Sequence, residues 1–329
     1  MPPEMYDEML DRIGPRIHKM DTNYWLAIDP GVKLATTLRY LATGDSYTTV
    51  SYSFRVSRHT VAAFIPIVTK AIVEDYKDEV NPCPVTAEEW KEIADEFQKR
   101  WNVPHALGAL DGKHCAIRKP PNSGSLYYNY KKFCSLISAS ELKESVKQGM
   151  LNLPAPAPMP NDDVEFPFFF LVDDAFALRN YMMKPYSRRG LSREEVILNY
   201  RISRGRRVVE NAYGILASRW RCMLTPMQVI PEVGRLNVEA SVILHNIMRM
   251  RYPQMQNAEM DKEDEDHNLI PGEWRNGAAM HDLAQNLGHN RDNVEGKNQR
   301  DYLKHYFNSP AGSIPWQDRT LQPRDNLRY

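Results

Sequence analysis

The chain has 329 residues and a hydrophobic fraction of 42%, enough for one large domain or two ordinary ones, each with its own core. Its 42 basic and 42 acidic side chains cancel, which excludes attraction of polyanions by net charge. No stretch approaches the ~20 uninterrupted apolar residues of a membrane helix, and the N-terminus lacks the basic and apolar regions of a secretory signal. We therefore expect a soluble protein without a membrane partner.

The four cysteines lie far apart in the sequence and form no C-x-x-C pair, which excludes a zinc ribbon and a dithiol redox motif. We expect them to be reduced thiols inside a cell.

Residues 1–100 are predicted to form a helical domain, because apolar residues recur with helical spacing. The predicted helices cover 31–42, 47–54 and 59–76. The turn between the last two gives them the outline of a helix–turn–helix, with Arg58 and His59 at the start of the helix that would reach base edges. A plain packing unit of helices explains the same pattern equally well.

Residues 101–253 are predicted to form a second domain of mixed strands and helices. The apolar run 106–110 predicts a strand that leads into Asp111. The run 166–172 is the most hydrophobic of the chain and predicts a buried strand that ends at Asp173. Both aspartates are therefore expected at the carboxyl ends of strands.

The other elements of this domain follow from turn and cap signals. A further strand is predicted within 127–137, and the prolines of 151–161 predict an extended connector. Ser192 and Glu195 have the spacing of a capping box, which opens a helical region that runs, with interruptions, to about residue 221. An apolar helix over 235–250 carries His245, for which we expect a buried, hydrogen-bonded role.

Charge is distributed unevenly in the second half of the chain. Residues 179–222 contain eleven lysines and arginines against three glutamates, whereas 259–266 contain six acids and one lysine. The basic block predicts a DNA-binding surface, to which we assign Arg204, Arg206 and Arg207. Residues 254–329 are polar and acidic, and we expect an acidic, partly disordered tail that competes with DNA for this surface.

Three carboxylates have the placement that a two-metal phosphoryl-transfer site requires. Asp111 and Asp173 end strands, and Glu210 lies on a following helix. Mg²⁺ and Mn²⁺ prefer oxygen ligands, and two such ions activate the attacking oxygen and stabilise the leaving one. The small residues Gly214 and Ala217 on the helix face next to Glu210 would leave room for metal and phosphate.

Each carboxylate also has a structural explanation. Asp111-Gly112 is a common turn dipeptide, and Asp173-Asp174 could cap the segment that follows. Glu210 could pair with Arg206 one helical turn earlier.

Beyond these patterns, the sequence resembles the transposases of PIF/Harbinger DNA elements and the domesticated nucleases derived from them. The motifs that carry the resemblance occur in the family's order: Gly108-Ala109-Leu110-Asp111-Gly112-Lys113-His114, Pro121-Asn122-Ser123-Gly124-Ser125, Asp173-Asp174-Ala175-Phe176, Arg207-Val208-Val209-Glu210-Asn211-Ala212-Tyr213-Gly214 and Leu244-His245-Asn246. The resemblance covers residues 10–255, including the helical N-terminal part.

The resemblance implies an α/β (α+β) fold with a ribonuclease-H-like nuclease core and a helical N-terminal domain. It implies metal-dependent DNA cleavage by an Asp-Asp-Glu triad that binds Mg²⁺ or Mn²⁺, in which Asp111, Asp173 and Glu210 match the first, second and third members. Asp174 is the alternative second aspartate. The resemblance also implies a Myb-like protein partner for DNA recognition and nuclear entry, hence a nuclear location.

The sequence departs from the family at one point. There the family has a third strand and a Gly-Ser-rich loop, whereas here roughly thirty residues are absent near 139–140, which would leave the sheet with an unpaired edge or force neighbouring segments to cover it. The alternative to an active nuclease is therefore a catalytically inactive transposase descendant that binds DNA or protein.

Overall fold

The computed structural model describes residues 1–21, 23–80, 84–119, 121, 135–138, 151–187, 189–256, 260–282 and 292–321. Helices and short strands are mixed, as the predicted α+β class requires. The predicted deletion point near 139–140 lies outside the described residues, as does most of the strand predicted within 127–137.

Five helices precede the first strand. They are α1 (Pro3–Ile17), α2 (Pro30–Thr43), α3 (Tyr47–Phe54), α4 (Arg58–Val80) and α5 (Ala87–Trp101). Helix α2 begins where the Asp29 carboxylate accepts the Gly31 N–H at 2.7 Å, and it ends at Gly44 in the left-handed conformation. The helical character predicted for residues 1–100 is confirmed.

Helices α3 and α4 meet at an angle of 101°, with the turn between them ended by a serine cap. The Ser57 hydroxyl accepts the Thr60 N–H at 3.2 Å, and Arg58 and His59 are exposed at the start of α4. Within the described part of the chain, no single helix is long and apolar enough to cross a membrane, although α3 and α4 together pass that test. The predicted helix pair is thus present, and its role in DNA binding stays a prediction.

Three further helices follow in the described part of the chain. They are α6 (Arg193–Arg219), α7 (Pro231–Arg251) and α8 (Val294–Asn308). The predicted capping box at the start of α6 is present, with Ser192 and Glu195 each bonding the other's backbone N–H. Helix α6 is continuous over 27 residues, without the interruptions that the sequence predicted.

The N-terminal helices share one hydrophobic core with α7. Val68 and Ile72 of α4 are buried in the same cluster as Ile243 and Leu244 of α7. The helical domain predicted for residues 1–100 therefore packs directly on the later part of the chain.

The first sheet consists of three parallel strands in the order β1-β6-β7, formed by β1 (Ala106–Ala109), β6 (Phe169–Leu171) and β7 (Met182–Met183). Phe169 and Leu171 of the central strand are fully buried, as the hydrophobic run predicted.

A second sheet has the order β10-β2-β3, with β2 (Lys113–Ala116), β3 (Ser135–Ser138) and β10 (His281–Asp282), and all its pairings are antiparallel. The C-terminal strand β10 covers the edge of β2 that lies opposite β3. The unpaired or covered edge predicted next to the deletion stays a prediction, because residues 139–150 lie outside the described part of the chain.

Two small hairpins complete the strands. They pair β4 (Ala157–Pro158) with β5 (Glu165–Phe166), and β8 (Lys262–Glu263) with β9 (Leu269–Ile270). The proline-rich connector thus contributes a short strand, which its composition did not predict. The acidic segment does too, so residues 260–282 are packed where we expected part of a disordered tail.

His245 gives the fold a pH-dependent stability. Burial, reinforced by the positive charges of Arg219 and Arg249, lowers the pKa of His245 to about 4. The predicted burial of His245 is confirmed, and its Nδ1 has no hydrogen-bond partner among the described residues; the predicted hydrogen-bonded role stays a prediction.

We expect folding stability to fall as pH drops below about 6.5. In this range His245 becomes protonated in the unfolded chain but stays neutral in the folded chain. Between pH 7.5 and pH 5 this histidine should cost about 2 kcal/mol. Urea unfolding of the parent and of His245→Gln at both pH values measures the effect. An equal pH dependence in parent and variant would contradict it.

Candidate active site

Asp111 and Asp173 follow neighbouring parallel strands at the same level. Ala109 of β1 is in register with Leu171 of β6, and the Leu110 N–H donates to the Leu171 carbonyl at 2.7 Å. Asp111 comes two residues after Ala109, and Asp173 comes two residues after Leu171. Both aspartates therefore lie at the carboxyl edge of the sheet, where the active sites of α/β proteins are commonly found. The structure brings together the two strand ends that the sequence predicted.

Helix α6 carries Glu210 to this edge. Gly205 of α6 packs on β6 so closely that an added Cβ would come within 2.5 Å of the Leu171 side chain, which is fully buried. The missing side chain therefore lets the helix approach the strand that ends at Asp173. Five residues later the same helix presents Glu210.

The guanidinium of Arg206 lies between two of the carboxylates. It is 3.5 Å from Oδ1 of Asp111 and 3.8 Å from Oε1 of Glu210. The Lys113 ammonium is 2.9 Å from the other Asp111 oxygen. The Arg206–Glu210 pairing that we considered as a structural explanation exists, and it also joins Glu210 to the aspartate at the sheet edge.

The negative charge of Asp111 affects the protonation of the other two carboxylates. Burial raises the pKa of Asp173 to about 6; the positive charge of Arg206 opposes this shift and the negative charge of Asp111 adds to it. Burial likewise raises the pKa of Glu210. The negative charge of Asp111 adds to this shift, and the positive charges of Arg206 and Arg275 oppose it. Asp111, Asp173 and Glu210 therefore belong to one electrostatic site.

Asp173 has the structural role that was considered for it. Its side chain accepts the Ala175 N–H at 3.0 Å and so caps the segment that follows. Burial, Arg206 and Asp111 act on its pKa as well. Asp173 stays the predicted second aspartate, with Asp174 as the alternative.

The side chains of Asp111, Asp173 and Glu210 offer carboxylate oxygens, which are the type of ligand that a hard divalent cation prefers. Among the described residues, no three histidine, cysteine, aspartate or glutamate side chains already converge as ligands of one ion. In this arrangement Arg206 and Lys113 supply the positive charge that neutralises the carboxylates. Sequence reasoning missed Lys113, although its place two residues after Asp111 in an extended segment was a usable signal.

The face of α6 next to Glu210 is filled. The sequence predicted that Gly214 leaves room there for metal and phosphate, but the Trp274 ring occupies the space, and a Cβ on Gly214 would overlap it. The prediction of an open space beside Gly214 was wrong. It used only the spacing of residues along one helix, which gives no information about a contact with a residue sixty positions away.

The predicted DNA-binding arginines of α6 are paired with acids. Arg204 is buried, and two of its donors, Nε and Nη2, contact Glu263 at 2.8 and 2.7 Å. Arg207 contacts the same carboxylate at 2.7 Å. Glu263 lies in the acidic block, so the contact between the basic and acidic blocks is structural, and Arg204 offers no surface to a phosphate.

The chain is similar to known nucleases. The family described as DDE superfamily endonuclease matches residues 142–246, which include Asp173 and Glu210 but not Asp111. The chain is 25% identical over 248 residues to a Bos taurus protein named "Putative nuclease HARBI1", and 24% identical over 242 residues to the Homo sapiens protein of that name. Each alignment covers 67% of this chain and 68% of the relative. No solved structure matches.

The charge balance of the site predicts the effect of removing Arg206. In Arg206→Gln, Asp111 and Glu210 lose a shared counter-charge, so we expect the melting temperature at pH 8 to fall by roughly 5 to 10 °C. Mn²⁺ should raise the melting temperature of Arg206→Gln by more than it raises that of the parent, because the ion binds the uncompensated carboxylates.

Arg207→Gln is the matched control, since it removes the neighbouring arginine from Glu263 instead. Its melting temperature should not respond to Mn²⁺ more than that of the parent. Thermal unfolding with and without Mn²⁺ measures both variants, and an equal response in Arg206→Gln and Arg207→Gln would contradict the assignment.

Proposed function

We propose that this chain, a relative of the DDE superfamily endonucleases and similar to Harbinger transposase-derived nucleases, cleaves phosphodiester bonds in DNA. The proposed catalytic residues are Asp111, Asp173 and Glu210. The observation that carries the proposal is the register of β1 and β6, which sets two aspartates side by side, with Arg206 linking the first of them to Glu210. We propose that the two sheets form a ribonuclease-H-like core.

The three carboxylates would hold one or two Mg²⁺ or Mn²⁺ ions. When bound, the ions supply activation of the attacking oxygen and stabilisation of the leaving oxygen. The protein's part is to keep Asp173 and Glu210 half-buried, where their raised pKa values reflect the cost of holding negative charge. Arg206 and Lys113 offset that cost and bring donors to the place where phosphate oxygens would bind.

DNA affinity is proposed to come from a different part of the molecule than the sequence favoured. Arg58 and His59 are exposed at the start of α4, and Tyr52 on α3 is 80% exposed. By contrast, Arg204 and Arg207 are paired with Glu263. We therefore propose that the helix pair α3–α4 contacts DNA, and that a Myb-like partner and nuclear entry serve the same activity.

Asp111→Asn tests the catalytic proposal. The amide removes a charged ligand without changing the shape of the site, so Mg²⁺- or Mn²⁺-dependent nicking of supercoiled plasmid should fall by at least about 100-fold. DNA affinity should stay within about twofold of the parent, as measured by fluorescence anisotropy. Equal nicking by variant and parent would contradict the role of Asp111, and a parent that binds DNA without nicking would support the inactive-descendant alternative.

Replacing Arg58 and His59 together by alanine tests the DNA surface. The double variant should bind DNA more weakly, and the salt dependence of log K should fall by about one unit for each phosphate that the protein no longer neutralises. Lys70→Ala on the same helix is the control, because Lys70 faces Glu74. The same salt slope in parent, double variant and control would contradict this surface.

A further inference from the structure

Residues 260–277, here called the C-terminal strap, pack on α6 beside Glu210. The strap lies outside the segment that matches the DDE superfamily endonuclease family, residues 142–246. It contains the hairpin of β8 and β9 and a short 3-10 helix, Glu273–Asn276. Its contacts with α6 extend from Arg204 and Arg207, which pair with Glu263, past Glu210 to Gly214.

Buried hydrogen bonds fix the strap to the helix. The side-chain oxygen of Asn211 accepts the Asp261 N–H at 3.1 Å and the Trp274 indole N–H at 2.8 Å. Asn211 and Asp261 are both 8% exposed. Because a buried polar group left unpaired costs free energy, these bonds hold the strap in one position on α6.

Arg275 is held on two sides within the strap. Its Nε and Nη2 donate to the two oxygens of Asp261 at 2.9 and 2.6 Å, a bidentate pairing that fixes the plane of the guanidinium. The guanidinium carbon also lies 4.4 Å from the centre of the Trp274 ring. The Trp274 ring in turn rests on the bare surface of Gly214.

The fixed guanidinium reaches the catalytic helix. Arg275 Nη2 is 3.7 Å from Oε2 of Glu210, while Arg206 is 3.8 Å from Oε1 of the same carboxylate. Glu210 is thus flanked by two arginines, one from its own helix and one from the strap. A glutamate side chain has several rotatable bonds, and charges on both sides restrict the orientations that it samples.

We infer that Arg275 is a positioning residue for Glu210: the strap holds the Glu210 carboxylate in the orientation in which it binds a divalent metal ion. The inference rests on the proposed function, in which Glu210 is a metal ligand. Partners that orient a metal ligand from outside the coordination sphere commonly change metal affinity or activity by about 10- to 100-fold when they are removed.

The sign of the change in metal affinity separates positioning from simple charge. If Arg275 orients Glu210, its removal weakens Mn²⁺ binding. If Arg275 only adds positive charge near the site, its removal strengthens Mn²⁺ binding, because a competing cation is gone. A strap that serves only to stabilise the fold would leave Mn²⁺ affinity unchanged.

The test compares Arg275→Ala and Trp274→Phe with the parent and with Asp111→Asn. Trp274→Phe keeps the charge of Arg275 and the ring on Gly214 but loses the indole N–H that bonds Asn211. Arg319→Ala is the matched control, since it breaks the exposed pair between Arg319 and Asp266 of the strap and leaves the contact of Arg275 with Glu210 in place. Free Mn²⁺ is counted by electron paramagnetic resonance without DNA, nicking is followed on plasmid, and thermal unfolding checks that each variant is folded.

We expect Arg275→Ala to weaken Mn²⁺ binding by about 10-fold or more and to lower kcat with KM for DNA unchanged. Trp274→Phe should show a smaller change in the same direction, and Arg319→Ala none. Unchanged or tighter Mn²⁺ binding in folded Arg275→Ala, while Asp111→Asn loses it, would overturn this inference alone. A parent that neither binds Mn²⁺ nor nicks DNA would overturn the proposed function, and the inference with it.

Discussion

The parallel pairing of β1 with β6 is the constraint on which the site depends. Parallel neighbours end at the same sheet edge, so the pairing of Ala109 with Leu171 sets Asp111 and Asp173 at one level. The close approach of Gly205 to Leu171 then docks α6 against the same strand and brings Glu210 to that edge. A shift of register or a larger residue at position 205 would separate carboxylates that come from distant parts of the chain.

Bringing these carboxylates together opposes folding, because burial and mutual repulsion both disfavour negative charge. The raised pKa values of Asp173 and Glu210 reflect the free-energy cost of burying negative charge, and the positive charges of Arg206 and Lys113 reduce that cost. A site that is unfavourable for the fold by itself is expected where function, rather than stability, selects the residues. The similarity to DDE superfamily endonucleases is the basis for the chemistry that we propose for this site.

Local patterns in the sequence were enough to predict the elements near the site. The helices of the N-terminal part, the buried strand at Phe169–Leu171 and the capping box of α6 all follow from spacing within one turn or one strand. The placement of Asp111 and Asp173 after neighbouring strands also followed, because both apolar runs end just before an aspartate. Their grouping with Glu210 as one site stays a prediction. The motifs of the resemblance pointed to the same residues.

Contacts between distant segments could not be predicted in this way. Glu263 lies 59 positions from Arg204, and Trp274 lies 63 positions from Asn211. The polar composition of the acidic block indicated a disordered tail, whereas in the structure Glu263 of this block pairs with Arg204 and Arg207 of α6. The predicted space beside Gly214 was wrong for the same reason, because Trp274, which fills it, lies outside the predicted domain 101–253 that contains Gly214.

The most direct test of the account is a crystal structure of the chain with Mn²⁺, with the ion located by its anomalous scattering. The account predicts Mn²⁺ within about 2.0 to 2.4 Å of oxygens from Asp111, Asp173 and Glu210, with Arg206 moved off the carboxylates. Mn²⁺ bound elsewhere, or Arg206 still between Asp111 and Glu210 at saturating Mn²⁺, would contradict it.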